Sequence, residues 1–184
     1  MMLENDTIKL RAVEPTDLET LYKWENDSSV WAAGCTVSPY SRYNLKEYIK
    51  KSSKNIIESG ELRLMIDCKS NNQTIGMADL FDCDMFHRRA GTGIFVAPEY
   101  RNHGFATQSM ALLCDYALKF LHLHQIYAYV PEDNKPSIRM LTKCGFQQRG
   151  LIPDWLYSAN SYTNVLIMSL LYGRAFARFN STCL

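Results

Sequence analysis

Residues 96–107, Val-Ala-Pro-Glu-Tyr-Arg-Asn-His-Gly-Phe-Ala-Thr, constrain this chain more than any other stretch. They end a strand-like run, turn through Arg101, Gly104 and Ala106, and open a long amphipathic pattern. In that pattern Ala106, Met110, Leu113, Cys114, Ala117, Phe120 and Leu121 fall on one helical face. A glycine in such a turn lets neighbouring amides converge, and the first amides of a helix have no partner inside it. The helix dipole adds partial positive charge at the same place. The expectation is a strand–turn–helix unit whose turn holds phosphate.

The rest of the chain alternates between strand and helix periods. Ile8 to Ala12 reads as a strand. Thr16-Asp-Leu-Glu19 reads as a capping box that opens a helix to about Glu25, with Leu18, Leu21 and Tyr22 together. After a loop with Ser28, Ser29, Gly34, Ser38 and Pro39, Asn44-Leu-Lys-Glu47 starts a second helix. It places Leu45, Tyr48, Ile49 and Ile56 on one side and ends at Gly60. Leu62, Leu64 and Ile66 alternate, Ser70-Asn-Asn72 turns, and Thr74 to Phe81 returns as a hairpin partner. Ala90 to Val96 is a third strand, with Gly91 and Gly93 on one face where a backbone or ligand can approach.

Beyond the long helix, Ile126, Ala128 and Val130 alternate with Tyr127 and Tyr129 as a strand. Asn134 caps a short helix with Pro136 in its first turn and Gly145 at its end. Phe146 to Ile152 and Thr163 to Leu170 finish as an antiparallel pair. This order implies one α/β domain over residues 1–171 with a mixed sheet, followed by a tail at 172–184.

Charge and cysteine usage remove several function classes. A net charge of +1, with acidic and basic residues interspersed, gives no footprint for nucleic acid or a membrane surface. Glu4 and Asp6 interrupt any signal-peptide core, and the run from Val165 to Leu171 is too short to span a bilayer. Six cysteines without a CxxC or a Cys/His cluster argue against zinc or a disulfide framework. Reduced thiols in a cytoplasmic protein are the simpler reading. Cys114 is expected on an apolar helix face and Cys144 as a packing residue.

The glycine-bearing strand, the Arg101 turn, the long helix, the Tyr-rich strand, Asn134, Ser137 and Gly145-Phe146 occur in a characteristic order. That order and spacing resembles the acyl-CoA-binding core of the GNAT superfamily of N-acetyltransferases, over roughly residues 7–171. The dinucleotide fingerprint GxGxxG is missing, since no third glycine follows Gly91 and Gly93 at its spacing. The resemblance implies a single-domain GNAT-like α/β fold. Its sheet would be mixed, mostly antiparallel, flanked by helices and splayed between the strands at 90–96 and 125–130.

It also implies acetyl-CoA as cofactor, with the diphosphate against the amides of Asn102, His103, Gly104, Phe105, Ala106 and Thr107. The pantetheine arm would run like an added strand beside Ile94, Phe95 and Val96. An amide near Val96 would face the thioester carbonyl as it gains charge. Asn134 and Ser137 would line the arm, and Arg101, His103 and Lys143 would reach phosphates.

The catalytic groups are less defined. Many family members protonate the leaving thiolate from a tyrosine seven residues after the position matching Asn134, and here that position is Leu141. The pattern Asn134-x-x-Ser137-Ile-Arg139-x-Leu-x-Lys143-x-Gly-Phe146 is instead similar to the branch that includes ribosomal-protein alanine N-acetyltransferases. That makes Ser137 the candidate catalytic residue, with helix-start bonding to the backbone as its structural alternative. No base stands out. The strand glutamate of some relatives is replaced by Gly91 and Gly93, and Asp79, Asp82, Asp84 and Asp154 are the nearby carboxylates.

Trp31, Asp79 and Trp155 are candidate acceptor-binding residues. The overall layout is also similar to polyamine acetyltransferases, although the loop from Ser28 to Tyr43 holds no Asp or Glu. Asp79, Asp82 and Asp84 are candidates to stand in for those carboxylates. The reaction expected is direct attack of a primary amine on the thioester, the acceptor being a protein N-terminus or a small amine such as a polyamine. The competing reading is an acyl-CoA-binding or regulatory domain without turnover. Assembly into a homo-oligomer is left open.

Overall fold

The computed structural model describes residues 2–28, 31, 38–52, 54–158 and 160–173. The expected tail lies outside these residues after Gly173. Seven strands form one sheet in the order β1-β2-β3-β4-β5-β7-β6. They are β1 (Ile8–Ala12), β2 (Leu62–Cys68), β3 (Gln73–Asp84), β4 (Arg89–Val96), β5 (Gln125–Pro131), β6 (Gln147–Ser158) and β7 (Ser161–Leu171). Every neighbouring pair is antiparallel except β4–β5, which is parallel. The helices are α1 (Leu18–Glu25), α2 (Arg42–Lys51), α3 (Ile56–Ser59), α4 (Phe105–Asp115) and α5 (Lys135–Lys143).

Strand alternation sorts side chains onto two faces. Leu64, Ile66, Ala78, Leu80, Ala90, Ile126, Ala128 and Val130 pack with Met110, Leu113, Cys114 and Leu141 on the face covered by α4 and α5. Met65, Met77, Phe95 and Ala97 pack with Leu21, Trp24, Leu45 and Ile49 on the face covered by α1 and α2. A fully buried leucine or isoleucine contributes about 2 kcal/mol here. The buried thiol of Cys114 belongs to the first core, as its helical phase predicts.

Three local expectations shift. The turn before α1 is set by Asp17, whose Oδ2 accepts the Glu14 N–H at 2.8 Å; Glu19, the expected box acid, instead holds Arg42 at 2.9 Å. The helix expected from Asn44 to Gly60 breaks in two because the sequence offers two caps. Ser41 Oγ accepts the Asn44 N–H and Asn55 Oδ1 accepts the Glu58 N–H, each at 3.0 Å, while Gly60 ends α3 in the left-handed region at φ +71°. Third, the long helix ends in a wider π-helical turn over Tyr116–Phe120.

Arg11 fastens the amino-terminal strand. Its guanidinium donates to Asp17 at 2.7 and 2.9 Å, to Asp67 at 2.6 Å and to Thr74 at 3.0 Å, joining β1, the following turn, β2 and β3.

Candidate active site

The two parallel strands part company. The β4–β5 register runs from Arg89↔Gln125 to Gly91↔Tyr127 and stops, so the rest of each strand forms one arm of a fork. The splay that the sequence resemblance implies is therefore present. The direction of the backbone groups along β4 follows from one bond. Ala97 N–H donates to Ile75 C=O at 2.9 Å, and in an antiparallel ladder such paired residues alternate. Phe95 and Gly93 thus face β3, whereas Ile94 and Val96 turn their amides and carbonyls toward the fork. The Val96 carbonyl is already taken by Arg101 Nε at 2.9 Å, which pins the turn to the end of the strand.

That turn places Asn102 at φ +66° and Gly104 at φ +81°. A Cβ built on Gly104 would meet only Gln108 Nε2, at 3.9 Å. Space is therefore not the reason for glycine; the backbone conformation is. The ladder of α4 begins with Gln108 N–H to Gly104 C=O at 3.1 Å. The amides of Phe105, Ala106 and Thr107 precede it and have no intrahelical acceptor. His103 stacks on Phe105 with ring centroids 6.0 Å apart.

On the other arm, β5 leads through Asn134 into α5. Asn134 Oδ1 accepts the Ser137 N–H at 3.2 Å, so the asparagine caps the helix and Ser137 sits half-buried in its first turn. Cys144 Sγ donates to the Thr107 carbonyl at 3.5 Å, which brings the end of α5, with exposed Lys143, beside the first turn of α4. Burial pushes the Cys144 thiol up to about 11, so it is a packing group and not a nucleophile. The 101–107 turn and the outward backbone of Val96 lie at the end of β4, Asn134 and Ser137 follow the end of β5, and a crevice separates them. The Phe95 backbone faces β3 and its ring packs on Trp24 with centroids 5.1 Å apart. The crevice lies outside the carboxyl ends of two parallel strands, the usual location for ligands in such sheets.

The α1 face of the fork is less as expected. The space at Gly91 is filled by the protein itself: a Cβ there would lie 2.3 Å from the Phe81 ring. Gly93 is open, with its nearest such neighbour at 3.9 Å. Asp79 is not a free carboxylate, because both its oxygens accept from Arg63, at 2.8 and 2.9 Å. Arg63 also bonds Glu25 and lies over the Tyr48 ring, 5.2 Å from its centroid. Burial alone would lower the Arg63 pKa, but Asp79 and Glu25 outweigh it and hold the guanidinium charged.

Neither Glu25 nor Arg63 is marked in the sequence, since 38 and 16 residues separate the paired positions. Trp31 joins this corner by donating Nε1–H to the Glu25 carbonyl at 2.8 Å. Asp82 is exposed at the β3 bulge, while Asp84 binds the His87 N–H at 2.8 Å, which lowers its pKa, and faces Arg89 at 3.6 Å. The three aspartates therefore do not form one acidic patch. Trp155 and Asp154 lie in the bulge between Ile152 and Leu156, and Trp155 projects 60% exposed from the hairpin. Leu141, at 2% exposure, belongs to the α4-side core and not to the fork.

The remaining side chains at the fork are Tyr127 and Tyr129, edge to face with centroids 5.5 Å apart. They alternate with buried Ile126, Ala128 and Val130, and so stand on the α1 face. Burial first, then Asp82, raises the Tyr127 phenol above its usual range.

Comparison with known proteins agrees with this geometry. The Acetyltransferase (GNAT) domain family matches residues 7–147. A spermidine N(1)-acetyltransferase of Escherichia coli K12 is 28% identical over 164 residues, covering 89% of this chain and 86% of the relative. The crystal structure of a Vibrio cholerae spermidine N-acetyltransferase in complex with CoA and spermine superposes with a TM-score of 0.85 at 26% identity, covering 94% of this chain and 99% of that one. A dodecameric structure of the Vibrio enzyme gives 0.80 at 28% identity, with 95% and 99% covered. The splayed sheet, the amide-lined turn and these matches lead to one conclusion: the chain belongs to the GNAT family and is an acetyl-CoA-dependent N-acetyltransferase.

Proposed function

We propose that the acceptor is a polyamine such as spermidine, whose primary amine attacks the thioester of acetyl-CoA directly. The observation that carries this reading is the charge balance beside the fork. Glu25 and Asp79 share the single guanidinium of Arg63, which leaves one surplus negative charge in a largely buried corner. A polycation is attracted to such a corner, and the attraction is stronger where solvent screening is weak. The names of the similar proteins support the same acceptor class.

In this reading the amides from Asn102 to Thr107 hold the diphosphate, with the side chains of Arg101, His103 and Lys143 donating to phosphate oxygens. The arm lies along Phe95 and Val96, with Asn134 and Ser137 opposite. The Val96 amide stabilises the thioester oxygen as it becomes negative. Trp31 walls the acceptor corner, and Trp155 meets the far end of a long acceptor. The catalytic domain spans residues 1–171, and copies of the chain assemble as in the dodecameric relative. Among the described residues no helix is long and apolar enough to cross a membrane, and we place the enzyme in the cytoplasm.

The test is acceptor-dependent release of CoA across spermidine, spermine, a simple primary monoamine and an alanine-terminated peptide. The polyamines should react fastest, and Glu25→Gln should lower kcat/KM for spermidine about tenfold while sparing the monoamine, an effect of about 1.4 kcal/mol. A peptide preferred over both polyamines would refute the proposal.

A further inference from the structure

We propose that the Tyr129 hydroxyl protonates the coenzyme A thiolate as it leaves. The inference rests on the transfer chemistry and arm placement above, and it assigns a step that those leave without a donor.

The fork sets the geometry. Its last paired row is Gly91↔Tyr127, so an extended arm coming from the carboxyl ends is stopped there. Two residues further out on each strand, past Thr92 and Ala128, the same register continued sets Gly93 against Tyr129, the next row on the α1 face. One side of this row carries no side chain, and a Cβ at Gly93 would have its nearest neighbour at 3.9 Å. The other carries a phenol that is 51% exposed on the α1 face, the side of the Glu25–Arg63–Asp79 corner. A thioester at the vertex therefore has open space toward the incoming amine and a hydroxyl across the gap.

The other candidates around the fork are committed elsewhere. Leu141 has no proton to give and is buried in the opposite core. Asp79 is saturated by Arg63, and Cys144 faces the Thr107 carbonyl. Tyr127 belongs to the closed row. Among the described residues Ser137 is the remaining rival, placed on α5, whose buried Leu141 packs into the α4-side core.

The step balances as follows. The acceptor ammonium loses one proton to water, and the neutral nitrogen forms a bond to the carbonyl carbon. As the C–S bond breaks its electron pair passes to sulfur, which takes the phenolic proton of Tyr129 and leaves as the free thiol. The new amide nitrogen sheds its second proton, which returns to the tyrosinate through water. The net products are the N-acetyl amine, the thiol and one proton.

The experiment compares wild type with Tyr129→Phe, Tyr127→Phe and Ser137→Ala, using whichever amine of the acceptor panel reacts fastest. A polyamine that is not that amine sinks the acceptor reading and leaves this one standing. Tyr129→Phe keeps the ring and its contact with Tyr127. Its kcat should fall about 100-fold, the usual size of a lost proton donor, with KM for acetyl-CoA within about twofold. The alkaline fall in the kcat–pH profile should disappear. Tyr127→Phe should stay within about threefold of wild type and keep that limb. A loss of less than about tenfold in Tyr129→Phe, a retained alkaline limb, or removal of that limb by Ser137→Ala instead would each overturn the assignment.

Discussion

Replacing Gly104 separates the two reasons for a glycine at that turn. The residue sits at φ +81° and ψ −1°, and its missing Cβ would have 3.9 Å to the nearest atom. Gly104→Ala therefore meets no wall, and its cost is backbone strain of about 1–2 kcal/mol. For a chain of this size that lowers Tm by about 2–8 °C. Gly104→Asp carries the same strain, but a carboxylate at the start of α4 recovers about 0.3–1 kcal/mol from the helix dipole. The aspartate variant should therefore melt slightly above the alanine variant.

Cofactor binding should rank them the other way. A carboxylate about 5 Å from a phosphate charge costs about 3 kcal/mol per unit charge at an effective dielectric of 20. After screening at an exposed loop, a net loss of about 3 kcal/mol, or more than 100-fold in Kd, is expected for the diphosphate. Calorimetric titration with acetyl-CoA, beside thermal melts, reads both quantities. The gap in affinity between the two variants should shrink in high salt. Equal affinities for Gly104→Asp and Gly104→Ala would refute the placement of the diphosphate at this turn.

Two further outcomes follow from packing and charge. Burial alone would raise the Asp17 carboxyl, but Arg11 and the Glu14 N–H override it and its folded pKa lies below the usual value. This group thus contributes stability above its unfolded value near about 3.9, and that contribution is lost as pH falls through the lower folded value. Asp17→Asn should cost about 2 kcal/mol at neutral pH and flatten the acid slope of urea midpoints; parallel slopes would count against the Arg11 pairing. Leu141→Tyr should not restore a proton donor, because position 141 is in the core. It should destabilise by about 1–3 kcal/mol in chemical denaturation without raising kcat, and a gain in kcat would show that the side chain reaches the fork.

The parts of this protein written in local pattern were legible in the sequence. Ile126, Ala128 and Val130 declare their buried face by alternation, and Asn134 stands where its own cap is needed. Gly104 marks its turn because glycine adopts that left-handed conformation without the strain most side chains would incur. Local rules failed where two caps compete within a few residues, as with Thr16 and Asp17 or Ser41 and Asn44. They also failed where a partner lies far along the chain. Asp79 looked available because nothing near it reveals Arg63 and Glu25, and Gly91 looked like a ligand contact because Phe81 lies on the neighbouring strand. The place of Tyr129 just beyond the last β4–β5 pair is not legible in alternation, which does not encode where a parallel ladder stops.

The half-unzipped β4 strand gives consecutive peptide groups unlike surroundings. Gly93 and Phe95 are locked to β3, whereas Ile94 and Val96 are turned outward to the crevice. In deuterated water the label should enter at every second position of this short arm and be shut out there once the thioester donor is seated. One strand thus serves as scaffold on its odd rungs and as receptor on its even ones.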